Sequence, residues 1–275
     1  MDWSLVLVSQ GIETTIEPPQ EDGRWELVVT AQDCERAVKA LRQYRVENRD
    51  WPWRQPLPWP QTHFDWVSIL WAGLLILFYF LSSRDPNFLA AGIMDSTKVF
   101  SGQWWRVLTA MMLHADLGHL ATNLSIGIVL FGLAMGQYGT GTGLLAAYLA
   151  GIGGNVASLL LNVKPFHGLG ASGMVMGALG LLAAPSLLPE WRKGKSLKHV
   201  LGGAAAGVML FVLFGLSPGT DIAAHLGGFL MGGLLGMALV HSPTSVSKNP
   251  KFNFVSGVLV VALVVATWRV ALIHQ

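Results

Sequence analysis

Two polar residues at the starts of apolar runs are of types that together carry out acyl transfer. Ser172 lies in the sequence Gly170-Ala171-Ser172-Gly173, where an apolar run begins that reaches about residue 188. His225 lies one turn inside a second apolar run, 222–240. Serine is a weak nucleophile until an adjacent base takes its proton, and a neutral histidine can take it. The pair predicts a nucleophile and a general base.

A third apolar run adds two hydrogen-bond donors. His119 and Asn123 are four residues apart and so share one face of a helix. Together with the backbone N–H of Ser172 at a helix N-terminus, they could stabilise a developing oxyanion. One such donor contributes about 3 to 4 kcal/mol to lowering a barrier. The structural alternative is that all of these residues only pack or hydrogen-bond between helices.

Acidic residues lie only at the edges of the apolar runs, as Asp116 and Asp221. This arrangement predicts a Ser–His dyad, with Asp221 as an alternative third member that would orient His225. The histidine spacings do not match zinc-protease motifs, and a hydrolytic dyad needs no cofactor, so neither a metal nor a cofactor is predicted.

The composition is that of a membrane protein. Hydrophobic residues make up 52% of the 275 and charged residues only 12%. The formal net charge of +2, without a basic stripe interleaved with aromatic residues, argues against nucleic-acid binding. The single cysteine, Cys34, excludes an intrachain disulfide. The first residues lack a charged and then apolar signal pattern, so no cleaved signal peptide is expected.

Seven apolar segments predict seven membrane helices. In the second segment, residues 108–116 are predicted to be a loop or a re-entrant stretch, so the spanning helix is expected to begin near Leu117. The segments are roughly 66–82, 108–136, 142–162, 171–188, 200–217, 222–240 and 254–273. Basic residues in 190–198, with Lys248 and Lys251, predict cytoplasmic connectors, a cytoplasmic N-terminus and an external C-terminus. The second, fourth and sixth helices would then start at the outer face and share one polar layer.

The first 50 residues read as a small α+β cytoplasmic domain. Alternation predicts strands at Leu5 and Leu7, extending to 12–16, and at 25–30, and then a helix opening near Asp33. Its apolar face is predicted at Cys34, Val38 and Leu41. A regulatory or partner-binding module and a plain soluble cap are both open. A linker rich in Pro and Trp, 51–65, follows.

Over residues 62–241 the chain resembles the rhomboid intramembrane serine proteases. The resemblance is carried by Trp105-Arg106, His119-x-x-x-Asn123, Gly170-Ala171-Ser172-Gly173 and Ala224-His225-x-x-Gly228-x-x-x-Gly232. It implies an all-α polytopic fold, with a six-helix core over 66–241 and a connector and seventh transmembrane helix over 242–275. It also implies Ser172 as nucleophile, His225 as base, and His119, Asn123 and the Ser172 N–H as the oxyanion hole.

The resemblance further implies that Trp105, Arg106 and His114 are structural, in a first connector partly sunk in the outer leaflet. One position departs from the family pattern: many members have an aromatic residue one turn after the serine, packed on the catalytic histidine, and here it is Met176. A thioether can also pack on an imidazole edge. The departure bears on how the base is oriented.

We therefore expect a serine endopeptidase of the inner or plasma membrane that cleaves other membrane proteins. Its substrates should have transmembrane segments weakened by Gly or Pro and a small residue before the cleaved bond. A catalytically silent relative that binds membrane proteins, and a small transporter, are the alternatives. The Gly-x-x-x-Gly pairs are expected to serve packing: Gly132 with Gly136, Gly173 with Gly177, and Gly228 with Gly232. Solvated positions are predicted for His63, His199, His241 and His274, and a place bordering the site for His167.

Overall fold

The computed structural model describes residues 2–18, 25–49, 63–187, 197–216, 220–241 and 249–274. The chain forms two compact units, Met1–Pro60 and Gln61–Gln275. The linker 51–62, the connector 188–196 and residues 242–248 with Lys248 lie outside the described residues, as does most of the predicted turn at 18–23.

The first unit is a helix, a β-hairpin and a second helix. In order they are α1 Asp2–Ser9, β1 Thr14–Glu17, β2 Glu26–Val29 and α2 Cys34–Glu47, with β1 and β2 antiparallel. A hairpin and a helix follow α1 in the described residues, while the predicted strand at Leu5 and Leu7 is wrong, because these residues belong to α1. Leu7 is buried with Ile12 and Ala37, whereas Leu5 is exposed.

The buried face of α2 also differs from the prediction. Ala37 is buried, with Ala40 and Leu41 packed beside it, while Cys34 and Val38 are exposed. An alanine face suits the close approach of α1 and the hairpin, so the larger Val38 is left outside.

The second unit is helical, and each of the seven predicted apolar segments contains a helix. The long elements are α3 Ser68–Arg84, α7 Leu117–Tyr138, α8 Thr140–Leu161, α9 Ser172–Ala183, α10 Leu197–Gly215, α11 Ile222–His241 and α12 Pro250–Ile273. Four of them, α7, α8, α11 and α12, are long and apolar enough to cross a membrane, while α3 and α9 are shorter, at 68–84 and 172–183. The spanning helix of the second segment does begin at Leu117.

Helix α9 lies at the centre of this bundle. It is buried continuously from Gly173 to Leu181, in contact with α7, α8 and α11. A helix that is apolar on all sides and packed on all sides does not face lipid, so its 12 residues need not match the bilayer thickness. A short 3-10 helix, Ala184–Leu187, continues it.

The first connector of this unit folds as a small structured segment, which we call the 86–112 segment. It contains α4 Pro86–Gly92, β3 Met94–Asp95, α5 Ser96–Phe100, α6 Arg106–Thr109 and a 3-10 helix Ala110–Met112. Asp85 and Asp95 cap α4 and α5 by accepting from the backbone N–H groups of their first turns. A second short strand, β4 His167–Gly168, pairs antiparallel with β3.

Candidate active site

The loop before Ser172 is held to the 86–112 segment by main-chain hydrogen bonds. The N–H of Gly170 donates to the carbonyl of Ala110 at 3.0 Å, and β4 is paired with β3. Gly170 has a φ of 128°, a conformation that residues with a Cβ rarely adopt. The chain then turns directly into α9, whose first residue is the partly exposed Ser172.

The starts of α9 and α11 are in backbone contact through their glycines. A Cβ added to Gly228 would lie 2.2 Å from the carbonyl oxygen of Gly173, and one added to Gly232 would lie 2.0 Å from that of Gly177. The contact positions increase in number along both helices, from 173 to 177 in α9 and from 228 to 232 in α11, so the two helices are parallel. Ser172 directly precedes Gly173, and His225 is three residues before Gly228. The helix turns that carry Ser172 and His225 therefore lie side by side.

Helix α7 runs in the same direction as α9. At one end Gly170 faces the ring of His119, and at the other the hydroxyl of Tyr138 donates to the carbonyl of Leu181 at 2.8 Å. The three helices carrying predicted site residues thus start at the same end of the bundle, as the alternation of segments predicts.

His225 is buried, and its ring has a defined partner. Nδ1 lies 2.6 Å from the carbonyl oxygen of Gly215, at the C-terminus of α10. A carbonyl only accepts hydrogen bonds, so Nδ1 carries a proton, and in the neutral ring the free lone pair is therefore on Nε2. No hydrogen bond joins the Ser172 hydroxyl to His225 in the structure, which describes both residues. Bonds of this kind often tighten only when substrate is bound.

Asp221 has other partners than His225. Its carboxylate accepts from the hydroxyl of Ser158 and, at 3.0 Å, from the backbone N–H of Ala224. It therefore caps the start of α11 and ties it to α8. The alternative in which Asp221 orients the His225 ring is not what this geometry shows, because Gly215 holds that ring.

His119 and Asn123 both approach Gly170. A Cβ placed on Gly170 would lie 2.8 Å from Nε2 of His119 and 3.8 Å from Nδ2 of Asn123. Asn123 is 4% exposed, and its Nδ2 has no hydrogen-bond partner among the described residues. A buried amide donor left open is costly and uncommon, and such groups concentrate where a ligand or a reacting atom completes them.

The other residues implied by the resemblance are buried around this site. The guanidinium of Arg106 donates to the carbonyls of Ala90 and Ile93 at 2.8 and 2.7 Å, so it closes the end of α4. His114 is 2% exposed, with its ring 5.1 Å from that of His119. Burial lowers the pKa of His114 to about 4. Met176 is buried in the core of the bundle.

A polar row on α8 was missed by sequence reasoning. Asn155 donates to the carbonyl of Val107 at 2.7 Å, and the side chain of Asn162 donates to Ser158 at 2.9 Å. Asn155 and Ser158 of α8, with Asn162 directly after its end, recur at three and four residues, so one side of this helix links the 86–112 segment to the start of α11. That spacing of polar residues in an apolar run was the available signal.

His167, His241 and His274 make contacts with residues outside this cluster. His167 is exposed, with Nε2 3.4 Å from the Asp95 carboxylate, across the β3–β4 pair. His241 is exposed at the end of α11, His274 is exposed beside Trp105, and His63 precedes α3. His199 is in α10.

Comparison with known proteins gives one consistent family. The family model for the Rhomboid domain matches residues 101–242. Rhomboid protease GluP of Bacillus subtilis is 30% identical over 210 residues, covering 72% of this chain and 39% of that protein. RHOMBOID-like protein 6, mitochondrial, of Arabidopsis thaliana is 34% identical over 184 residues, covering 63% and 59%. Rhomboid protease AarA of Providencia stuartii is 30% identical over 192 residues, covering 59% and 66%.

The fold and the matched domain define a multi-pass membrane protein, and the chain belongs to the rhomboid family. Its relatives include proteins named as proteases, which associates the family with intramembrane proteolysis. The chain spans from 39% to 66% of the length of the three relatives named above.

Proposed function

We propose that this chain is an intramembrane serine endopeptidase that cleaves peptide bonds in or next to transmembrane segments of other membrane proteins. The observation that carries the proposal is the backbone contact of Gly173 with Gly228. It sets Ser172 beside the turn of His225, whose protonated Nδ1 leaves Nε2 as a base. A nucleophile and a base of the correct tautomer are the minimum for acyl transfer.

The proposed reaction uses this dyad twice. Nε2 of His225 takes the proton of the Ser172 hydroxyl as its oxygen attacks the substrate carbonyl, and the imidazolium then protonates the leaving amine. In the second step the same nitrogen takes a proton from water as the water oxygen attacks the acyl carbon. The bond to Ser172 Oγ then breaks, and the imidazolium returns the proton to that oxygen, releasing the carboxylic acid and the free serine. No cofactor takes part.

The oxyanion is proposed to be held by Asn123, His119 and the Ser172 N–H. The open Nδ2 of Asn123 supports this role, because a donor fixed in place before the charge develops needs no reorganisation during the reaction. Because Gly170 has no side chain, the space between its loop and the side chains of His119 and Asn123 on α7 stays open. Its backbone conformation thus suits it to leave room for the substrate carbonyl.

Substrate and membrane placement follow from the same site. A helical peptide bond is shielded by its own turn, so the substrate must present extended backbone, which favours segments weakened by Gly or Pro. We place the N-terminal unit in the cytoplasm and the polar layer toward the extracytoplasmic side of an inner or plasma membrane. The proposed parts are a 1–50 domain, a 51–65 linker, a 66–241 catalytic core, and a 242–275 connector with a seventh transmembrane helix.

A fluorophosphonate probe tests the proposal on the purified protein in detergent. Wild type should label, and Ser172→Ala and His225→Ala should not. Met176→Ala should label more slowly if the thioether helps to seat the imidazole. A folded wild type that does not label, beside a protease relative that does, would instead support a silent rhomboid that only binds membrane proteins.

A further inference from the structure

The last helix, α12, packs against the 86–112 segment at the end of the bundle where Ser172 and His225 lie. Trp268 is 5% exposed, and its indole is stacked on Phe88 at 4.4 Å with an interplanar angle of 14°. It also lies 4.9 Å from the ring of Phe78. The indole is therefore enclosed by aromatic side chains of α3 and α4, a geometry that adds to simple burial.

The tip of the indole rests on the backbone of the 86–112 segment. A Cβ added to Gly92 would lie 2.4 Å from Cη2 of Trp268. One turn further along α12, Ala271 is buried with Ala91 and Trp105, and the ring of His274 lies 5.3 Å from that of Trp105. The last two turns of α12 thus cover two parts of the segment, α4 and the start of α6.

The backbone beneath the indole is tied directly to the loop that carries the serine. The Thr109 hydroxyl donates to the carbonyl of Gly92 at 2.8 Å. The next residue, Ala110, accepts the N–H of Gly170 at 3.0 Å. Trp268 is thus connected to Gly170 by one van der Waals contact, with Gly92, and by two hydrogen bonds, those made by Thr109 and Ala110. All of these groups are main-chain atoms or buried side chains.

We propose that α12 is a positioning element of the active site, acting through Trp268. The indole keeps Gly92, and with it the rest of the 86–112 segment, in a defined position. Ala110 of that segment can then hold Gly170, and the position of Gly170 determines that of the Ser172 backbone N–H. The inference rests on the proposed function, since it concerns the geometry of the same nucleophile. It assigns to a helix outside the matched 101–242 domain a part in assembling that domain's site.

The other end of α12 provides the control. The side-chain oxygen of Asn253 accepts the backbone N–H groups of Gly141 and Thr142 at 2.7 and 3.0 Å, so it caps the start of α8. Asn253→Ala weakens the docking of α12 at the far end of the bundle. Phe254→Leu shortens an aromatic side chain of the same helix that is 72% exposed.

The experiment compares Trp268→Leu and Phe88→Leu with these two controls in the full-length protein. The labelling rate of Ser172 by the fluorophosphonate and the amide hydrogen exchange of peptides covering 92–112 and 166–172 are measured well below each variant's unfolding midpoint. We expect Trp268→Leu to label at least about tenfold more slowly and to exchange faster in both peptides. Phe88→Leu should do the same to a smaller extent, and both controls should stay within about twofold of wild type.

Three outcomes would overturn the inference. Folded Trp268→Leu and Phe88→Leu could label at the wild-type rate, labelling could slow without any change in exchange, or Asn253→Ala could slow labelling as much as Trp268→Leu. The last would mean that loosening α12 anywhere has the same effect. An unlabelled wild type would be the failure of the proposed function itself, and in that case the exchange measurement alone still decides whether Trp268 holds the two peptides.

Discussion

Gly228 meets the main chain of Gly173 so closely that position 228 has no room for a side chain: a Cβ on Gly228 would lie 2.2 Å from the Gly173 carbonyl oxygen. A backbone oxygen cannot move aside as a flexible side chain does. The separation of α9 and α11, and with it the distance between Ser172 and His225, therefore depends on the absence of a side chain at Gly228 and, one turn further on, at Gly232.

Gly228→Ala is accordingly expected to push the two helices apart. Overpacking of this kind costs about 1 to 3 kcal/mol of stability, and the displaced base should slow fluorophosphonate labelling of Ser172 at least tenfold. The matched control is Gly233→Ala on the same helix, where nothing lies within 4 Å of the added Cβ. Equal labelling rates for the two variants would contradict the role given to this contact.

The helices could be predicted from the sequence because they depend on local pattern, and the same patterns indicated Ser172, His225, His119 and Asn123, whose roles stay predictions. Runs of apolar residues have few ways to satisfy their backbone in a membrane, so each predicted segment contains a helix. The glycine spacings indicated close packing, but spacing does not name a partner. That Gly173 and Gly228 face each other follows only from the parallel course of α9 and α11.

What the sequence could not predict are contacts to main-chain carbonyls. Every residue offers a carbonyl, so nothing marks Gly215 as the partner of His225 or Val107 as that of Asn155. The strand predicted around Leu5 failed for a related reason. Leu5 and Leu7 stand in the continuous apolar run Leu5-Val6-Leu7-Val8, which periodicity alone cannot assign to a strand or to a helix, and packing of Leu7 against Ile12 decided for α1.

The two buried asparagines should respond in opposite ways to the same substitution. Asn123 keeps an unpartnered Nδ2, whereas Nδ2 of Asn155 donates to Val107. Asn123→Ala should lower kcat by about 100-fold to 1000-fold, as the loss of one oxyanion donor does, with little loss of stability. Asn155→Ala should lower the free energy of unfolding by about 1 to 3 kcal/mol, because the Val107 carbonyl loses its partner.

Denaturation in sodium dodecyl sulfate and turnover of a transmembrane substrate measure the two effects separately. If Asn123→Ala lost mainly stability and kept its kcat, the amide would be a packing residue and the proposed oxyanion hole would be wrong.

Substitution of Asp221, at the start of α11, distinguishes a Ser–His dyad from a Ser-His-Asp triad. Asp221 accepts from Ser158 and Ala224, and Gly215 holds the His225 ring, so Asp221→Asn should keep the imidazole tautomer and lower kcat less than tenfold. Loss of the aspartate from a Ser-His-Asp triad lowers kcat about 10,000-fold. A loss of that order, measured as kcat against pH, would show that the carboxylate acts on the base. Ser158→Ala is the control, because it removes the hydrogen bond between α8 and Asp221 and so loosens the start of α11 without changing the carboxylate.

Burial of His114 predicts a specific dependence of stability on pH. Its pKa falls from 6.5 to about 4 because burial disfavours the charged ring. Between these values the unfolded chain binds a proton at this side chain and the folded chain does not. Stability contributed by the neutral ring is therefore complete above pH 6.5 and is lost as the pH falls toward 4, with a slope approaching about 1.4 kcal/mol per pH unit.

His114→Gln removes the titrating group and should flatten the fall in unfolding midpoint between pH 7 and pH 4.5, relative to wild type. The exposed His241 gives the matched control, because His241→Gln makes the same substitution at a histidine that is not buried. The comparison of wild type with His114→Gln isolates His114 from other groups that titrate in the same range, since those groups are common to both proteins. A His114→Gln profile as steep as that of wild type would mean that the ring takes up its proton as readily in the folded protein as in the unfolded chain.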